Sequence, residues 1–342
     1  MISVIIPVFN AGALLERCLE SVLAQKGEEP MEVILVDDGS TDNSVEIISE
    51  FISKRPNIAA KGEGDIQGAT REAGQAERVR FTLLRQENAG PALARNRGLA
   101  ASRGEFVAFL DADDYWEPEF CERTVGFLEQ HPECIAVSVA QRHLTPLGQG
   151  ESPKGWRELA PEEGIVLDDF YGFWADHNHV CTGSIMILGD VARASGGQRA
   201  DLRLCEDLEY WACLATMGKM GYIPQLLFTS DGSRVTAELG WVEKYLPRWR
   251  NAVPVEEWER RINALADLSG NAGYRKARGR VARNLAYNIL LSKRYALARE
   301  QVRRNGAEYP RDKMSRLLRL GASNGLLWLL VSRLLVYREW HR

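Results

Sequence analysis

The sequence predicts an α/β protein, with a mainly parallel twisted sheet followed by an all-helical C-terminal region. Short apolar runs suited to strands alternate with helical patterns up to about residue 230, which is the order expected of parallel strands joined by crossover helices. From about residue 240 the strand signals stop and only helical patterns follow. We therefore expect a sheet domain over residues 1–235 and a basic helical region over residues 236–342.

Seven apolar runs predict the strands of the sheet domain, at residues 2–6, 32–36, 81–85, 105–110, 134–139, 184–188 and 222–228. The first helix, at about residues 12–25, repeats apolar side chains at a spacing that lays one stripe against the sheet. Residues 56–78 are rich in Gly, Ala, Glu and Gln and lack apolar periodicity, so we expect a mobile surface insertion there. Among the C-terminal helices, Gly306 and Pro310 separate two helical pieces.

The composition indicates a globular protein: 342 residues, of which 45% are hydrophobic and 26% charged. Its six cysteines are scattered without a C-x-x-C pair, which favours reduced thiols over a disulfide framework or a zinc site. The first residues are typical of a buried strand and lack the basic start of a signal peptide. We therefore predict a cytoplasmic location.

The charge is distributed unevenly along the chain. Residues 271–342 hold 17 Lys and Arg against 4 Asp and Glu, although the formal net charge of the whole chain is -4. Such a basic segment predicts an anionic partner, which could be the acidic front part itself, a phospholipid surface or nucleic acid. Nucleic acid is disfavoured because the aromatic residues follow apolar helix faces and do not interleave an exposed basic groove.

The apolar segment 325–337 is too short to span a bilayer, which needs about 20 apolar residues. Arginines flank it on both sides, together with Trp328, Tyr337 and Trp340. This pattern suits a helix that lies in the membrane interface, on the inner face of the cytoplasmic membrane, and it equally suits a helix docked on the protein core.

Two predicted strands end in clustered carboxylates. One apolar strand ends in Asp111, followed by Asp113 and Asp114, and another ends in Asp37 and Asp38. Carboxylates so close together repel one another unless a cation or water screens them, so a divalent metal is the expected partner. Because open α/β sheets bind ligands outside the carboxyl ends of their strands, we expect both groups to line one crevice.

Four motifs, in the same order along the chain, resemble those of the family 2 glycosyltransferases of bacterial type. They are Val4-Ile-Ile-Pro-Val-Phe-Asn, Val36-Asp-Asp-Gly-Ser-Thr-Asp, Asn88-Ala-Gly-Pro-Ala-Leu-Ala-Arg-Asn-Arg-Gly and Leu110-Asp-Ala-Asp-Asp. The resemblance covers about residues 1–230. It implies a GT-A fold with a catalytic domain over residues 1–235, a nucleotide-sugar donor, Mg²⁺ or Mn²⁺, and inversion at the anomeric carbon.

The resemblance assigns residues to the nucleotide. Phe9, which follows Pro7, offers a flat face for a base to stack on. Asp37 would accept a hydrogen bond from the uracil, and Asp38 would lie near the nucleoside. Asp38 also suits a purely local role in shaping its turn.

The resemblance also places residues around the diphosphate and the metal. Arg95 lies near the donor in such enzymes and suits a diphosphate, although a structural salt bridge remains an alternative. Asp113 would bind the metal, Asp111 would lie by the ribose or the metal, and Ala112 between them belongs to the nucleotide site.

Inverting transfer needs a base for the acceptor hydroxyl. The segment Leu204-Cys-Glu-Asp-Leu-Glu-Tyr-Trp resembles the family element that supplies it, which nominates Asp207 as the base, Glu206 as its neighbour and Trp211 on the acceptor side. The alternative is that the two acids only favour a helix N-terminus. Strand alternation would put His177, His179 and Cys181 on one face. We expect this segment to line the acceptor side, with His179 or Asp176 touching a sugar or phosphate hydroxyl.

The predicted function is therefore a metal-dependent, inverting transfer of one sugar from a UDP-sugar to a hydroxyl of a glycan or lipid-linked acceptor, in cell-surface polysaccharide biosynthesis. Polymerising relatives carry Gln-x-x-Arg-Trp, whereas this chain has Tyr245-Leu-Pro-Arg-Trp without the Gln, so we expect a non-processive enzyme. The alternatives are a nucleotidyltransferase, and a module that binds nucleotide-sugar or glycan without turnover.

Overall fold

The computed structural model describes residues 1–55, 59–62, 78–146, 148–232 and 241–341. The chain divides into two compact units. Unit 1 comprises Met1–Asp168, His179–Ala200 and Met217–Gly232, and unit 2 comprises Asp169–Asn178, Asp201–Thr216 and Ser233–Arg342. Unit 2 thus takes two segments from within the first 235 residues, and the domain boundary expected at residue 235 stays a prediction.

All the strands of the described residues belong to one sheet in unit 1. Their bounds are β1 Ile2–Val8, β2 Met31–Asp37, β3 Ala59–Gly62, β4 Val79–Arg85, β5 Phe106–Phe109, β6 Tyr115–Trp116, β7 Cys134–Thr145, β8 Gly148–Ser152, β9 Ile165–Leu167, β10 Ile185–Leu188 and β11 Lys219–Asp231. Each of the seven predicted strands is present. Of the predicted insertion 56–78, residues 56–58 and 63–77 lie outside the described residues, and residues 59–62 form β3.

The order in the sheet is β3-β4-β2-β1-β5-β10-β7-β11-β6, with β8 beside β7 and β9 beside β11. The five strands from β3 to β5 are mutually parallel, and β10 enters antiparallel between β5 and β7. The register pairs Val8 of β1 with Asp37 of β2, and Ile5 of β1 with Phe109 of β5. The carboxyl ends of β2 and β5 therefore flank that of β1 at one edge of the sheet.

The helices alternate with these strands and then continue alone. Their bounds are α1 Leu14–Leu23, α2 Ser44–Ser53, α3 Pro91–Ala101, α4 Phe120–Gln130, α5 Phe170–His177, α6 Gly189–Ala194, α7 Glu206–Leu214, α8 Trp241–Arg250, α9 Val255–Trp258, α10 Arg260–Leu265, α11 Ala272–Leu291, α12 Tyr295–Asn305, α13 Lys313–Ser323 and α14 Gly325–Trp340. Short 3₁₀ turns occur at Trp156–Glu158, Thr182–Ser184 and Gly306–Glu308. The predicted α/β fold with a helical C-terminal region is confirmed.

In unit 1, the predicted apolar stripe of α1 is buried through Leu15, Cys18, Leu19 and Val22. These side chains join a core formed by the strands β1, β2, β4 and β5 and the helix α4. Burial of this stripe is what fixes α1 beside the sheet.

Unit 2 is built around the long helix α11, which packs against α5 and α12. Asn271 caps α11 by accepting a hydrogen bond from the Tyr274 backbone N–H at 2.8 Å. Gly306 and Pro310 do separate two helices, since α12 ends before Gly306 and α13 begins after Pro310. Within the described ranges, the helices are all too short or too polar to cross a bilayer.

Candidate donor and base sites

The carboxyl edge of β1 and β2 holds an exposed aromatic side chain and two buried carboxylates. Pro7 is the half-buried penultimate residue of β1, and Phe9 follows the strand with 52% of its surface exposed. The backbone of Asn10 has a positive φ of 49°. Its side-chain oxygen accepts a hydrogen bond from the Thr41 amide at 2.8 Å, which connects this end of β1 to the turn after β2. An exposed Phe on such an anchored loop is available for stacking.

Asp37 ends β2 and is 1% exposed. One of its carboxylate oxygens accepts the Ser40 amide at 3.0 Å, and the other lies 3.4 Å from Nε of Arg85. The turn from Asp37 to Ser40 needs Gly39. Its φ is +76°, and a Cβ at that position would lie 2.9 Å from the Asn88 backbone nitrogen. The turn therefore brings the loop after β4 against the end of β2.

Asp38 holds that loop in place. Its carboxylate accepts hydrogen bonds from the backbone amides of Ala89 and Gly90, both at 2.8 Å, and from Gln86 Nε2 at 2.7 Å. Asp38 is 3% exposed. The alternative that Asp38 only shapes its own turn therefore has direct structural support, because most of the hydrogen bonds that its carboxylate can accept come from within the chain.

Arg95 lies on α3 and points at the end of β5. Its Nη2 lies 2.5 Å from Oδ1 of Asp111, and its Nη1 donates to Oε1 of Gln198 at 3.1 Å. The Arg95 side chain is 6% exposed, whereas that of Asp111 is 32% exposed. Two of the predicted donor residues are therefore brought together as an ion pair whose acidic member faces the solvent more than its basic member.

The turn after β5 gathers further charges that the sequence did not predict. Nη2 of Arg17 donates to the Asp113 carbonyl at 3.0 Å and lies 2.7 Å from Oδ2 of Asp231, at the end of β11. The Asp231 amide donates to Oδ1 of Asp114 at 2.9 Å. Ala112, the remaining predicted residue of this turn, is buried.

The acidic turn favours a nearby cation. Burial, then the charges of Asp111 and Asp113, raise the pKa of Asp114 to about 8. Within the described residues, no group of three or more His, Cys, Asp or Glu side chains is arranged to hold a metal ion alone. Magnesium is commonly held by only one or two carboxylates together with substrate phosphates, so Asp113 and Asp111 fit an ion shared with a bound diphosphate.

In unit 2, the predicted base lies in the first turn of α7. Glu206 and Asp207 are its first two residues, and both side chains are half-buried. Cys205 precedes them at a positive φ of 61°, a conformation that is uncommon for a residue other than glycine. Trp258 Nε1 donates to the Cys205 carbonyl at 3.0 Å, which stabilises this sharp entry into the helix.

A buried ion pair also stabilises the first turn of α7. Glu209 is fully buried and forms an ion pair with Arg261, whose Nη2 lies 2.5 Å from Oε2. The acids in this turn lie at the positive end of the helix dipole, where negatively charged side chains are stabilising. An ionised carboxylate is the form that a general base requires.

Two of the predicted acceptor-side residues are buried. His179 has no exposed surface and shares a hydrogen bond of 2.7 Å with Oγ of Ser138. Trp211 is also fully buried, and its indole N–H has no partner among the described residues. Contact of either side chain with an acceptor would require surrounding residues to move, and their acceptor role stays a prediction.

The strand expected through His177, His179 and Cys181 is wrong. His177 is the last residue of α5, Asn178 ends that helix at a positive φ of 48°, and Cys181 begins the 3₁₀ turn Thr182–Ser184. The buried apolar side chains Phe170, Tyr171, Trp174 and Ala175 follow helical spacing, so the local sequence favours a helix that ends at the left-handed Asn178. Alternation along a strand therefore does not align these three side chains.

Comparison with known proteins assigns the chain to a family. The model of "Glycosyl transferase family 2" matches residues 3–188, more than half of the chain. The chain belongs to this family. As a family 2 glycosyltransferase, it carries all four predicted motifs inside the matched range.

Curated relatives of this glycosyltransferase match it over limited regions. The "Uncharacterized glycosyltransferase YibD" of Escherichia coli is 38% identical over 121 residues, which are 35% of this chain and 28% of that protein. The chain therefore matches less than a third of that relative's length. The "Putative teichuronic acid biosynthesis glycosyltransferase TuaG" of Bacillus subtilis is 28% identical over 222 residues, covering 65% of this chain and 75% of that protein.

Solved structures share the fold of this glycosyltransferase over nearly its full length. TarS 1–349 of S. aureus in complex with UDP-GlcNAc has a TM-score of 0.65 and 17% identity, covering 99% of this chain and 91% of that chain. The mannosyltransferase PcManGT of Pyrobaculum calidifontis, in complex with GDP-Man and Mn²⁺, has a TM-score of 0.56 and 18% identity, covering 98% of this chain and 86% of that chain. The predicted GT-A type of fold is confirmed.

Proposed function

We propose that this glycosyltransferase transfers one sugar from a UDP-sugar to a hydroxyl of a glycan or lipid-linked acceptor, with inversion, in cell-surface polysaccharide biosynthesis. One edge of the sheet carries the donor assignment. There the exposed Phe9 follows β1, Asp37 ends β2, and Asp111, which is ion-paired with Arg95, follows β5; the three strands are parallel. The name of TuaG refers to teichuronic acid biosynthesis, which supports the choice of pathway class. The complex of TarS with UDP-GlcNAc supports the choice of a UDP-sugar.

Each residue of the donor edge has one task. Phe9 stacks on the base, and Asp37 accepts a hydrogen bond from the uracil ring N–H. Pro7 and Ala112 line the nucleoside pocket, while Asp38 acts mainly by fixing the loop 86–90 that borders it. Arg95 and Asp111 are released from each other in part when the nucleotide enters, because the guanidinium then gains the diphosphate oxygens as further anionic acceptors.

A divalent cation, Mg²⁺ or Mn²⁺, is part of the proposal. Asp113 and Asp111 would hold it, and it would supply Lewis-acid stabilisation of the charge on the departing diphosphate. The structure of PcManGT is a complex with GDP-Man and Mn²⁺, which supports this choice. Because that structure contains GDP-Man, GDP-sugars are the competing donor class.

Asp207 is the proposed base. As the acceptor oxygen bonds to the anomeric carbon, its proton passes to the Asp207 carboxylate, and the bond from that carbon to the diphosphate oxygen breaks with its electron pair leaving on the nucleotide. Attack from the face opposite the leaving group inverts the configuration. Glu206, its neighbour in the first turn of α7, orients Asp207 and the acceptor.

A location at the inner face of the cytoplasmic membrane is proposed from α13 and α14. Six large apolar side chains of these helices are between 42% and 76% exposed: Leu320, Leu326, Leu329, Leu330, Leu334 and Tyr337. We call them the leucine face. Residues 313–338 carry five Lys or Arg and no acid, so a second copy of this surface would repel it, whereas an anionic lipid surface would attract it.

The donor proposal is tested by mixing the protein with UDP- and GDP-sugars in the presence of Mn²⁺ or Mg²⁺ and detecting the released nucleotide. We expect one UDP-sugar to be consumed, consumption to stop with EDTA, and Asp113→Ala to remove the metal dependence together with the activity. Release of pyrophosphate from a nucleoside triphosphate would identify a nucleotidyltransferase. Nucleotide binding without turnover, even with membrane-extract acceptors, would favour a binding module.

A further inference from the structure

Unit 2 contains a cavity that the proposed reaction does not yet use. It has a volume of about 290 Å³ and lies among α5, α7 and α11. Its lining is formed by Trp174, Ala175, Asn178, Leu208, Ala277, Arg280, Val281, Arg283 and Asn284. This volume is at the lower end of the range for small-molecule sites, which suits one sugar-sized or phosphate-bearing group.

The lining of the cavity is cationic. It includes Arg280 and Arg283 but no carboxylate. Burial, then the charge of Arg283, lower the pKa of Arg280, while the charge of Asp176 opposes this shift, as expected of two like charges close together in one wall. An anion between them would relieve this repulsion.

Two acids interact electrostatically with these arginines, Asp176 with Arg280 and Asp312 with Arg283, and each of them also has a partner of its own. Asp176 lies 2.5 Å from Nζ of Lys276, and the carboxylate of Asp312 accepts the Ser315 amide at 2.7 Å to cap α13. Nε of Arg283 is buried without a hydrogen-bond partner among the described residues. A buried donor of this kind costs free energy unless a ligand or water accepts from it.

The two arginines differ in what they already hold. Nη1 of Arg280 donates to the carbonyls of Trp174 at 2.7 Å and Ala175 at 2.6 Å, so Arg280 closes the C-terminal turn of α5. Arg280 thus shapes the cavity wall, and Arg283 is the cation whose Nε still lacks an acceptor.

The cavity adjoins the proposed base within the same unit. Leu208, which lines it, directly follows Asp207 in α7. Asn284, also in the lining, places its Nδ2 3.7 Å from Sγ of Cys205, the residue that begins the turn into α7. A group held in the cavity therefore lies beside the first turn of α7.

We propose that this cavity binds an anionic group of the acceptor, a phosphate or a carboxylate, and so positions the acceptor beside Asp207. The identification of the ligand as the acceptor rests on the proposed function, whereas the presence of an anion site does not. Planar guanidinium groups grip the oxygens of phosphate and carboxylate in pairs, which suits this class of ligand.

The test is calorimetric titration of the full chain with inorganic phosphate, glycerol phosphate and neutral glycerol, with saturating UDP present so that phosphate does not occupy the donor site. We expect both phosphates to bind and glycerol not to bind. Arg283→Gln should weaken phosphate binding about tenfold or more, because a charge-assisted hydrogen bond is lost. Arg283→Lys should restore part of it, and Arg303→Gln, an exposed residue on α12, should change nothing.

Three outcomes would overturn the inference: no phosphate binding, binding that is unchanged in Arg283→Gln, or binding of inorganic phosphate without glycerol phosphate. The last would identify a site for the free ion and not for an acceptor. UDP binding measured on Arg283→Gln should equal that of the wild type. If the wild type binds no nucleotide at all, the donor proposal fails while the phosphate titrations still decide the anion site.

Discussion

Arg261 binds Glu209 through two parallel hydrogen bonds, from Nε to Oε1 at 2.8 Å and from Nη2 to Oε2 at 2.5 Å. Glu209 is fully buried and lies two residues after Asp207. The pair joins α7 to α10, so the turn that carries the proposed base is held by a charge-assisted, two-point contact.

Removal of one partner of this pair should destabilise the protein strongly. Arg261→Ala leaves the Glu209 carboxylate buried without its counter-charge, and loss of one partner of a buried pair costs about 3 to 5 kcal/mol. We expect a large fall in the thermal unfolding midpoint. The matched control is Arg260→Ala, since Arg260 is 65% exposed and contacts Glu257 at 3.2 Å at the surface, where such a pair contributes about 0 to 1 kcal/mol. Equal shifts in the two variants would show that the Glu209 pair is not a structural anchor.

Phe9→Ala should weaken nucleotide binding without changing stability. Phe9 is 52% exposed, so its removal exposes no core, while stacking of a base on an aromatic ring is worth about 1 to 3 kcal/mol. The dissociation constant for UDP should rise roughly tenfold, and Phe9→Trp should preserve binding. Leu93→Ala, at a residue that is 40% exposed, serves as the control. Unchanged UDP affinity in Phe9→Ala would remove this residue from the donor site.

Asp38→Ala should act on stability first. The substitution leaves the amides of Ala89 and Gly90 and the Gln86 side chain without their acceptor, at about 1 to 3 kcal/mol for each buried donor that stays unpaired. We expect a lower unfolding midpoint and faster proteolysis around residues 86–90. Asp42→Ala, in the same turn but exposed, should have a smaller effect. A fully stable Asp38→Ala that has lost UDP binding would instead make Asp38 a direct nucleotide ligand.

The sequence predicted seven of the eleven strands of the described residues, and the acids at the carboxyl ends of β2 and β5, because apolar runs and strand ends are local signals. It did not predict Asp231 or Arg17 at the acidic turn, since Asp231 reaches Asp114 only through the register of β11, across 117 residues of chain. It misassigned His177 because alternation alone does not show where α5 ends. The anion cavity also escaped prediction, since Leu208 and Arg283 meet only after unit 2 has folded.

The leucine face predicts membrane binding that depends on both apolar contact and charge. The protein should sediment with vesicles that contain anionic phosphatidylglycerol, bind weakly to neutral phosphatidylcholine, and dissociate as salt is raised, because each surface cation contributes about 1 kcal/mol that salt screens. The double variant Leu330→Glu and Leu334→Glu should lose binding. Leu265→Glu, an equally exposed leucine on α10, should retain it. If the wild type does not bind anionic vesicles and instead forms dimers that the double variant disrupts, the leucine face is a protein interface.

The most direct test of the proposed mechanism is the comparison of Asp207→Asn with the wild type, using the UDP-sugar that the wild type consumes. Asparagine keeps the shape of the side chain but does not accept the acceptor proton. Transfer should therefore fall by about 10² to 10⁴-fold while the dissociation constant for UDP stays within about twofold. Transfer at the wild-type rate by Asp207→Asn would contradict the assignment of Asp207 as the base.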